Sequence, residues 1–237
     1  MLGLGLSLAK PHRISKSFNV LDIGSLVIYN EYKAWIKVSG TNNVDSWPNH
    51  TSLSSDYNLS QSNKAFYPVE DGDNLSFNNQ SINGQLNYAH EKSINVFTLT
   101  MSLNPKEAFS LTNEGVIGRG LNDLVKLYRG GSLSRLGLKL EGSNYDENNL
   151  SINYPIGNFI LTITRAPNGF VEIYFDNALV GDMSTNPSED LRISQIGSGE
   201  LHSSVKYDGF INEVYLFEKV LSNEDRVNVI NFALNKL

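Results

Sequence analysis

Residues 161–184 read "LTITRAPNGFVEIYFDNALVGDMS". Two turn signals, Asn168-Gly169 and Asp176-Asn177, bracket the six strand-like residues 170–175. Within them Val171, Ile173 and Phe175 share one face, and Glu172 and Tyr174 share the other. Upstream, Phe159, Leu161 and Ile163 alternate in the same way with Thr162 and Thr164. Period-two alternation is the mark of a strand with one buried and one wet face. Asn-Gly accepts positive φ and reverses the chain in a tight hairpin, and Asp-Asn does the same on the far side. The stretch therefore predicts a three-strand antiparallel meander whose turns set strand order and register.

The pattern extends outward. Turn pairs recur at Ser39-Gly40, Asp71-Gly72, Asn83-Gly84, Gly130-Gly131 and Asp208-Gly209. Between them lie runs such as "SLVIYNEY", "VFTLTMSL" and "FINEVYLF", rich in β-branched and aromatic residues. Many short strands at this spacing predict an all-β protein, an antiparallel β-sandwich of the jelly-roll kind. One segment reads as helix. In "LSNEDRVNVINFALNKL", Ser222 is placed to cap and Asp225 follows three residues on. Val227, Ile230, Leu234 and Leu237 then form the expected apolar stripe. The expected organisation is an N-terminal arm over residues 1–25 and one jelly-roll domain over 26–237, closed by a short C-terminal helix.

Composition narrows the function classes. A chain of 237 residues that is 40% hydrophobic and 19% charged can bury one sizeable core. A net charge of -6, with no Lys/Arg cluster, points away from nucleic acid. With no cysteine there is no disulfide framework, zinc–thiolate site or Cys nucleophile. No apolar run reaches the ~20 residues of a membrane helix, so no membrane partner is expected. The opening "MLGLGLSLAKPHR" has no basic region before its diluted apolar stretch, which argues against a secretory signal. Leu2, Leu4, Leu6 and Leu8 alternate with small residues at period two. Two readings stand: a first strand of the domain, or an arm that docks on a neighbouring protein by strand addition.

Two stretches resemble a known family. "LTITRAPNGFVEIYFDNALVG" is similar to the core of the concanavalin A-like lectin/glucanase superfamily, in its laminin-G and pentraxin-like branch. "YDGFINEVYLFEKVLSNED" resembles the last strand and helical exit of that branch, with Gly209, Ile211, Glu213, Val214, Leu221, Ser222, Glu224 and Asp225 in place. Asn177 stands where that turn more often has Gly. Residues 34–80 also resemble a segment of tailed-phage virion proteins of this superfamily. Trp35, Trp47, Gln61, Pro68, Leu75 and Phe77 match; Pro48 and Asn49 depart. The resemblance implies a virion-located accessory protein (decoration, fibre or tail component), present in several copies. Its partners would be other virion proteins and host-surface glycans. The alternative it leaves is a secreted bacterial carbohydrate-binding lectin.

The residues themselves show no catalytic set. Glu172 and Asp176 share a face but stand ~13 Å apart at ~3.3 Å per residue, beyond an inverting carboxylate pair, and Tyr174 fills the position between them. Glu213 and Glu218 read as surface and strand-end charges. His12, His50, His90 and His202 fall in no catalytic motif. The expectation is a non-enzymatic protein with no cofactor other than calcium. That ion's oxygen ligands would come from Asp71, Asp73 and Asn74 in "EDGDN". Sugars stack on exposed rings beside polar groups. Trp35 and Trp47 read as core. Tyr145, flanked by Asn144 and Asp146 in what reads as a polar loop, is the candidate glycan contact.

Overall fold

The computed structural model describes residues 18–52, 56–62, 67–77, 85–105, 113–120, 122–130, 133–146, 155, 157–197 and 207–237. The meander is present as three antiparallel strands, β13 (Phe159–Arg165), β14 (Phe170–Phe175) and β15 (Ala178–Ser184). At its first turn Gly169 donates to the Ala166 carbonyl (2.9 Å), while Ala166 donates to Phe170 (2.8 Å). Gly169 takes φ +80°, and a Cβ there would come within 2.2 Å of the Thr185 carbonyl oxygen. At the second turn the positive φ falls on Asp176 (51°), not on Asn177. Asp176 earns that conformation by bonding both backbone groups of Ile160: its N–H donates to the carbonyl (2.8 Å) and its carboxylate accepts from the amide (2.9 Å). Asn177 instead donates to Asn231 (3.1 Å).

Two antiparallel sheets face each other. The first runs β15-β14-β13-β8-β17-β6-β5, from β5 (Val69–Asp71), β6 (Asn74–Phe77), β8 (Phe97–Pro105) and β17 (Gly209–Phe217). β1 (Leu26–Asn30) pairs with the second half of β17. The second sheet runs β12-β11-β10-β9-β16-β7-β4-β3-β2. Its strands are β2 (Ile36–Lys37), β3 (Val44–Trp47), β4 (Leu59–Ser60), β7 (Leu86–Ile94), β9 (Asn113–Arg119), β10 (Asp123–Gly130), β11 (Leu133–Leu140), β12 (Ser143–Asp146) and β16 (Leu191–Ile196). Alternate residues from both sheets fill the space between them: Leu99, Met101, Phe159, Leu161, Ile163, Val171 and Ile173 from the first, and Ile117, Val125, Leu138 and Ile193 from the second. This is the all-β jelly-roll sandwich that the turn spacing predicts. Trp35 and Trp47 lie in the core, edge to face at 5.9 Å.

The outer face of the first sheet departs from the expectation of a wet surface. Every residue of β13 is buried, as are Tyr174, Tyr215 and Phe217. The cover is helix α1 (Asn223–Leu234), with Phe18, Val20 and Ile23 beside it. Ser222 caps the helix by accepting from the Asp225 amide (3.1 Å), as expected. The buried stripe, however, is Arg226, Val229, Ile230 and Ala233, turned by about one residue from the expected Val227, Ile230, Leu234 and Leu237. The reason is Arg226, whose guanidinium lies 3.6 Å from the Tyr174 ring centroid and covers it as an apolar side chain would.

Glu213 is also not a surface charge. It is 1% exposed on the helix-covered face of β17. It accepts from Lys236 Nζ (2.8 Å), and Lys236 also reaches Glu31 (3.2 Å) and the Tyr29 hydroxyl (2.7 Å). Tyr29 stacks on Tyr215 at 4.9 Å. Burial raises the Glu213 carboxyl above the usual range, against the pull of Lys236. Burial likewise raises the Tyr29 and Tyr215 hydroxyls, with the Glu213 charge adding to it. The cluster ties the chain's last turn to β1 and β17.

Arg165, wholly buried, makes a second tie. It donates to Thr185 Oγ1 (2.9 Å) and to the backbone carbonyls of Asn95 and Asn186. These bonds hold the start of β8 and the loop after β15 against the first turn of the meander.

Two outcomes test these assignments. Gly169→Ala should destabilise the fold by at least ~1–3 kcal/mol, since left-handed strain and a backbone clash coincide there. Urea denaturation measures it, and an unchanged midpoint contradicts the turn geometry. The second concerns Glu213. The folded protein holds this proton more tightly than the unfolded chain does. Its contribution to stability is therefore full below the unfolded carboxyl's pKa and is lost as pH rises through the raised folded value. Melting temperatures from pH 4 upward should show this decline in the parent and its absence in Glu213→Gln. Parallel curves would mean the carboxyl is not the source.

Candidate functional site

A ligand needs a cavity it can enter, and the Glu213 cluster is closed beneath the helix. Among the described residues, an open cleft lies at one end of the second sheet. There the β9–β10 turn, the β11–β12 turn and the start of β16 meet around a cleft of about 380 Å³, lined by Arg119, Gly120, Asn122, Asp123, Glu141 and Arg192. The backbone is close-set: a Cβ on Gly118 would lie 2.1 Å from the Asp123 carbonyl oxygen, so β9 and β10 approach here only because that residue is glycine.

The charged groups of the cleft are held. Arg192 Nη2 contacts Glu141 Oε1 at 3.0 Å, and Arg119 Nε contacts Glu91 Oε2 at 2.9 Å. Glu141 takes φ 45°, and its amide donates to the nearly buried Asp123 carboxylate (2.9 Å). The Gly142 amide donates to the Asn122 carbonyl (2.8 Å). Desolvation raises the Asp123 carboxyl, partly offset by that amide and by Arg192. The charges of Arg119 and Arg192 are matched by Glu91, Asp123 and Glu141, so the cleft carries no surplus positive charge for a polyanion. It presents fixed donors and acceptors on strand ends, the arrangement that suits a ligand bearing several hydroxyls.

The expected glycan residues do not line this cleft. Residues 143–146 are strand β12, with Tyr145 opposite Leu138, rather than a loop. The Tyr145 ring is half-buried against the core. Its hydroxyl donates to Glu189 (2.6 Å) and accepts from the Asn186 amide (3.0 Å). Burial, then Glu189, raises its pKa. Ser143 donates to the same carboxylate (2.8 Å). Tyr145 is thus a buttress joining β12 to the segment that leads into β16 and Arg192, and its ring is not a free stacking platform. Asn144 is exposed, and the backbone of Asp146 pairs with Gly137.

Two of the expected calcium ligands already have partners. Asp73 pairs with Lys33 (2.7 Å), and Asn74 accepts from Asn212 (2.8 Å). Asp71 ends β5, and among the described residues no three acidic or His side chains gather around one point. Leu2, Leu4, Leu6 and Leu8 lie outside the described residues. Glu172 accepts weakly from Thr164 (3.4 Å), and Asp176 is committed to Ile160. The sequence reading missed the cleft because its parts are scattered over residues 119–192. The one local signal was the pair of turns at Gly118–Asn122 and Glu141-Gly142.

No protein-family model matches the chain, and neither does any curated protein. Solved structures do share the fold. Domain 4 of AbnA, a GH43 extracellular arabinanase from Geobacillus stearothermophilus, in complex with arabinotriose, is 14% identical with a TM-score of 0.56, over 87% of this chain and 98% of that one. A Trypanosoma rangeli sialidase in complex with 2,3-difluorosialic acid is 13% identical with a TM-score of 0.59, over 89% of this chain and 33% of that one. The binding domain of botulinum neurotoxin DC in complex with SialylT is 14% identical with a TM-score of 0.55, over 88% and 51%. The chain thus spans a third of the sialidase and about half of the toxin binding domain. The likeness is one of fold: a jelly-roll β-sandwich.

Tyr145→Phe keeps the ring and removes the hydroxyl. If the hydroxyl joins β12 to the 186–189 segment, the variant loses about 1 kcal/mol in urea denaturation. Full stability in the variant would assign the joint elsewhere.

Proposed function

We propose that this protein is a non-enzymatic carbohydrate-binding module of a phage virion, and that a neutral glycan seats in the cleft of Arg119, Asn122, Glu141 and Arg192. The observation that carries the reading is the cleft itself. It is open and polar, carries no surplus positive charge, and its arginines and carboxylates are already held by ion pairs and a turn hydrogen bond. Such preorganisation lets a sugar's hydroxyls find partners at little ordering cost. The fold is shared with an arabinanase domain, a sialidase and a toxin binding domain, each in complex with the ligand named above. The cleft carboxylates serve the turns and the arginines, which supports binding over hydrolysis. The virion setting rests on the residues between Trp35 and Phe77 that resemble phage virion proteins, and on nothing in the cleft.

The test is a glycan array with the whole protein, followed by titration of the best neutral oligosaccharide against Arg119→Ala and Arg192→Ala. Each variant should weaken binding about tenfold or more, the loss expected when a charge-assisted hydrogen bond is removed, with melting temperature little changed. Binding that survives both substitutions, or an array bound only by sialylated glycans, overturns the cleft assignment. Copurification with phage particles tests the setting separately.

A further inference from the structure

Glu141 stands at a position that local backbone chemistry does not favour for glutamate. Leu140 pairs with Ser143, so Glu141 and Gly142 form a two-residue turn between β11 and β12. Both take positive φ, 45° and 94°. The first position of such a turn suits Asn, Asp or Gly. In the left-handed region Cβ crowds the following carbonyl oxygen, and only a short polar side chain offsets this with a local hydrogen bond. At the second turn of the meander Asp176 does so, through Ile160. Glu141 does the opposite: its carboxylate leaves the turn and accepts from Arg192 Nη2 (3.0 Å). The turn is held by its neighbours instead. The nearly buried Asp123 carboxylate accepts from the Glu141 amide (2.9 Å), and the Asn122 carbonyl accepts from the Gly142 amide (2.8 Å).

What the glutamate does there follows from Arg192. Both side chains are partly exposed, 38% for Arg192 and 36% for Glu141, and a pair so open to water adds little stability. The two arginines of the cleft are not held alike. Arg119 meets Glu91 side-on, through Nε (2.9 Å) and Nη1 (3.2 Å). Arg192 meets Glu141 through Nη2. A guanidinium carries a planar fork of five donors that fits carboxylate, sulfate and phosphate oxygens, and in an open cleft it draws an anion from solution. Glu141 puts a carboxylate in that place. An incoming anion has to displace it and meets its charge. A hydroxyl both donates and accepts, so it bonds to the pair without separating it.

We infer that Glu141 is the specificity-determining residue of the cleft: fixed in a strained turn by Asp123, its carboxylate occupies Arg192 and turns anionic ligands away, which leaves the cleft to neutral ligands bearing several hydroxyls. The inference rests on the carbohydrate-binding reading of the cleft for its ligand class. It also accounts for a glutamate where the turn favours asparagine.

Inorganic sulfate is the probe, so the test does not depend on finding a glycan. Sulfate is titrated into the full chain at low ionic strength, and NMR follows the Arg192 guanidinium. Glu141→Gln removes the charge and keeps the strained turn. Glu141→Asn removes the charge and relieves the turn. Glu224→Gln removes the same charge at an exposed position of α1. Both Glu141 variants should bind sulfate about tenfold or more tightly than the parent and Glu224→Gln. The urea midpoint should be higher in Glu141→Asn than in Glu141→Gln. Sulfate affinity unchanged in the Glu141 variants, or raised as much in Glu224→Gln, overturns the inference. So does a midpoint in Glu141→Asn no higher than in Glu141→Gln, since the glutamate would then suit the turn itself. An array on which no neutral glycan binds, with the sulfate and urea results as expected, strikes the proposed function and leaves the exclusion of anions by Glu141 standing.

Discussion

The architecture depends on a sheet that is buried on both faces. β8, β13 and β17 sit at the centre of the first sheet with their inward residues in the sandwich core and their outward residues, Ile160, Tyr215 and Phe217 among them, under a second apolar layer. Sheets of antiparallel strands usually leave one face to water. Here that face is too apolar to be left open, and Phe18 to Ile23 cover it from one side and α1 from the other. Several of the polar groups trapped by this cover are matched, while Ser102 Oγ and Arg226 Nη1 are buried without a hydrogen-bond partner. Thr100 and Thr162 share a hydrogen bond (3.1 Å), Thr98 bonds the Lys219 carbonyl and the Leu221 amide, and Glu213 takes Lys236. The buried carboxylate makes the helix-covered face a unit in which the last turn of the chain and the first strand are linked through Lys236, Tyr29 and Glu31.

Among the described residues, the open cleft belongs to the second sheet. Its strand ends carry Arg119, Asn122, Glu141 and Arg192, and tight turns bring them together. Tyr145 plays a structural part. On the end strand of the second sheet its ring completes the core, while its hydroxyl is used to hold the neighbouring segment.

Much of the fold was legible in residues 159–184. Alternation placed Leu161, Ile163, Val171 and Ile173 in the core, and Asn168-Gly169 marked a turn that only glycine can complete. Ser222 marked the helix start. These features are local: a turn's φ, a cap's hydrogen bond and a period of two are set by neighbours a few residues apart. What lay beyond a few residues was read less well. The side of the helix that faces the sheet was missed because Arg226 is a charged residue that buries by stacking on Tyr174, 52 positions away in sequence.

Glu213 shows the same limit. Its alternation partners are Tyr215 and Phe217, so the face was readable, but its burial follows from α1 folding back over β17 and from Lys236 arriving at its side. The cleft likewise exists only once Arg119, Glu141 and Arg192, separated by up to 73 positions, are carried to one end of a sheet. The sequence by itself determined strand, turn and cap, since backbone preference and periodicity act over short range. The tertiary structure decided which faces are covered and which charges meet, because burial and Coulomb pairing depend on distance in space.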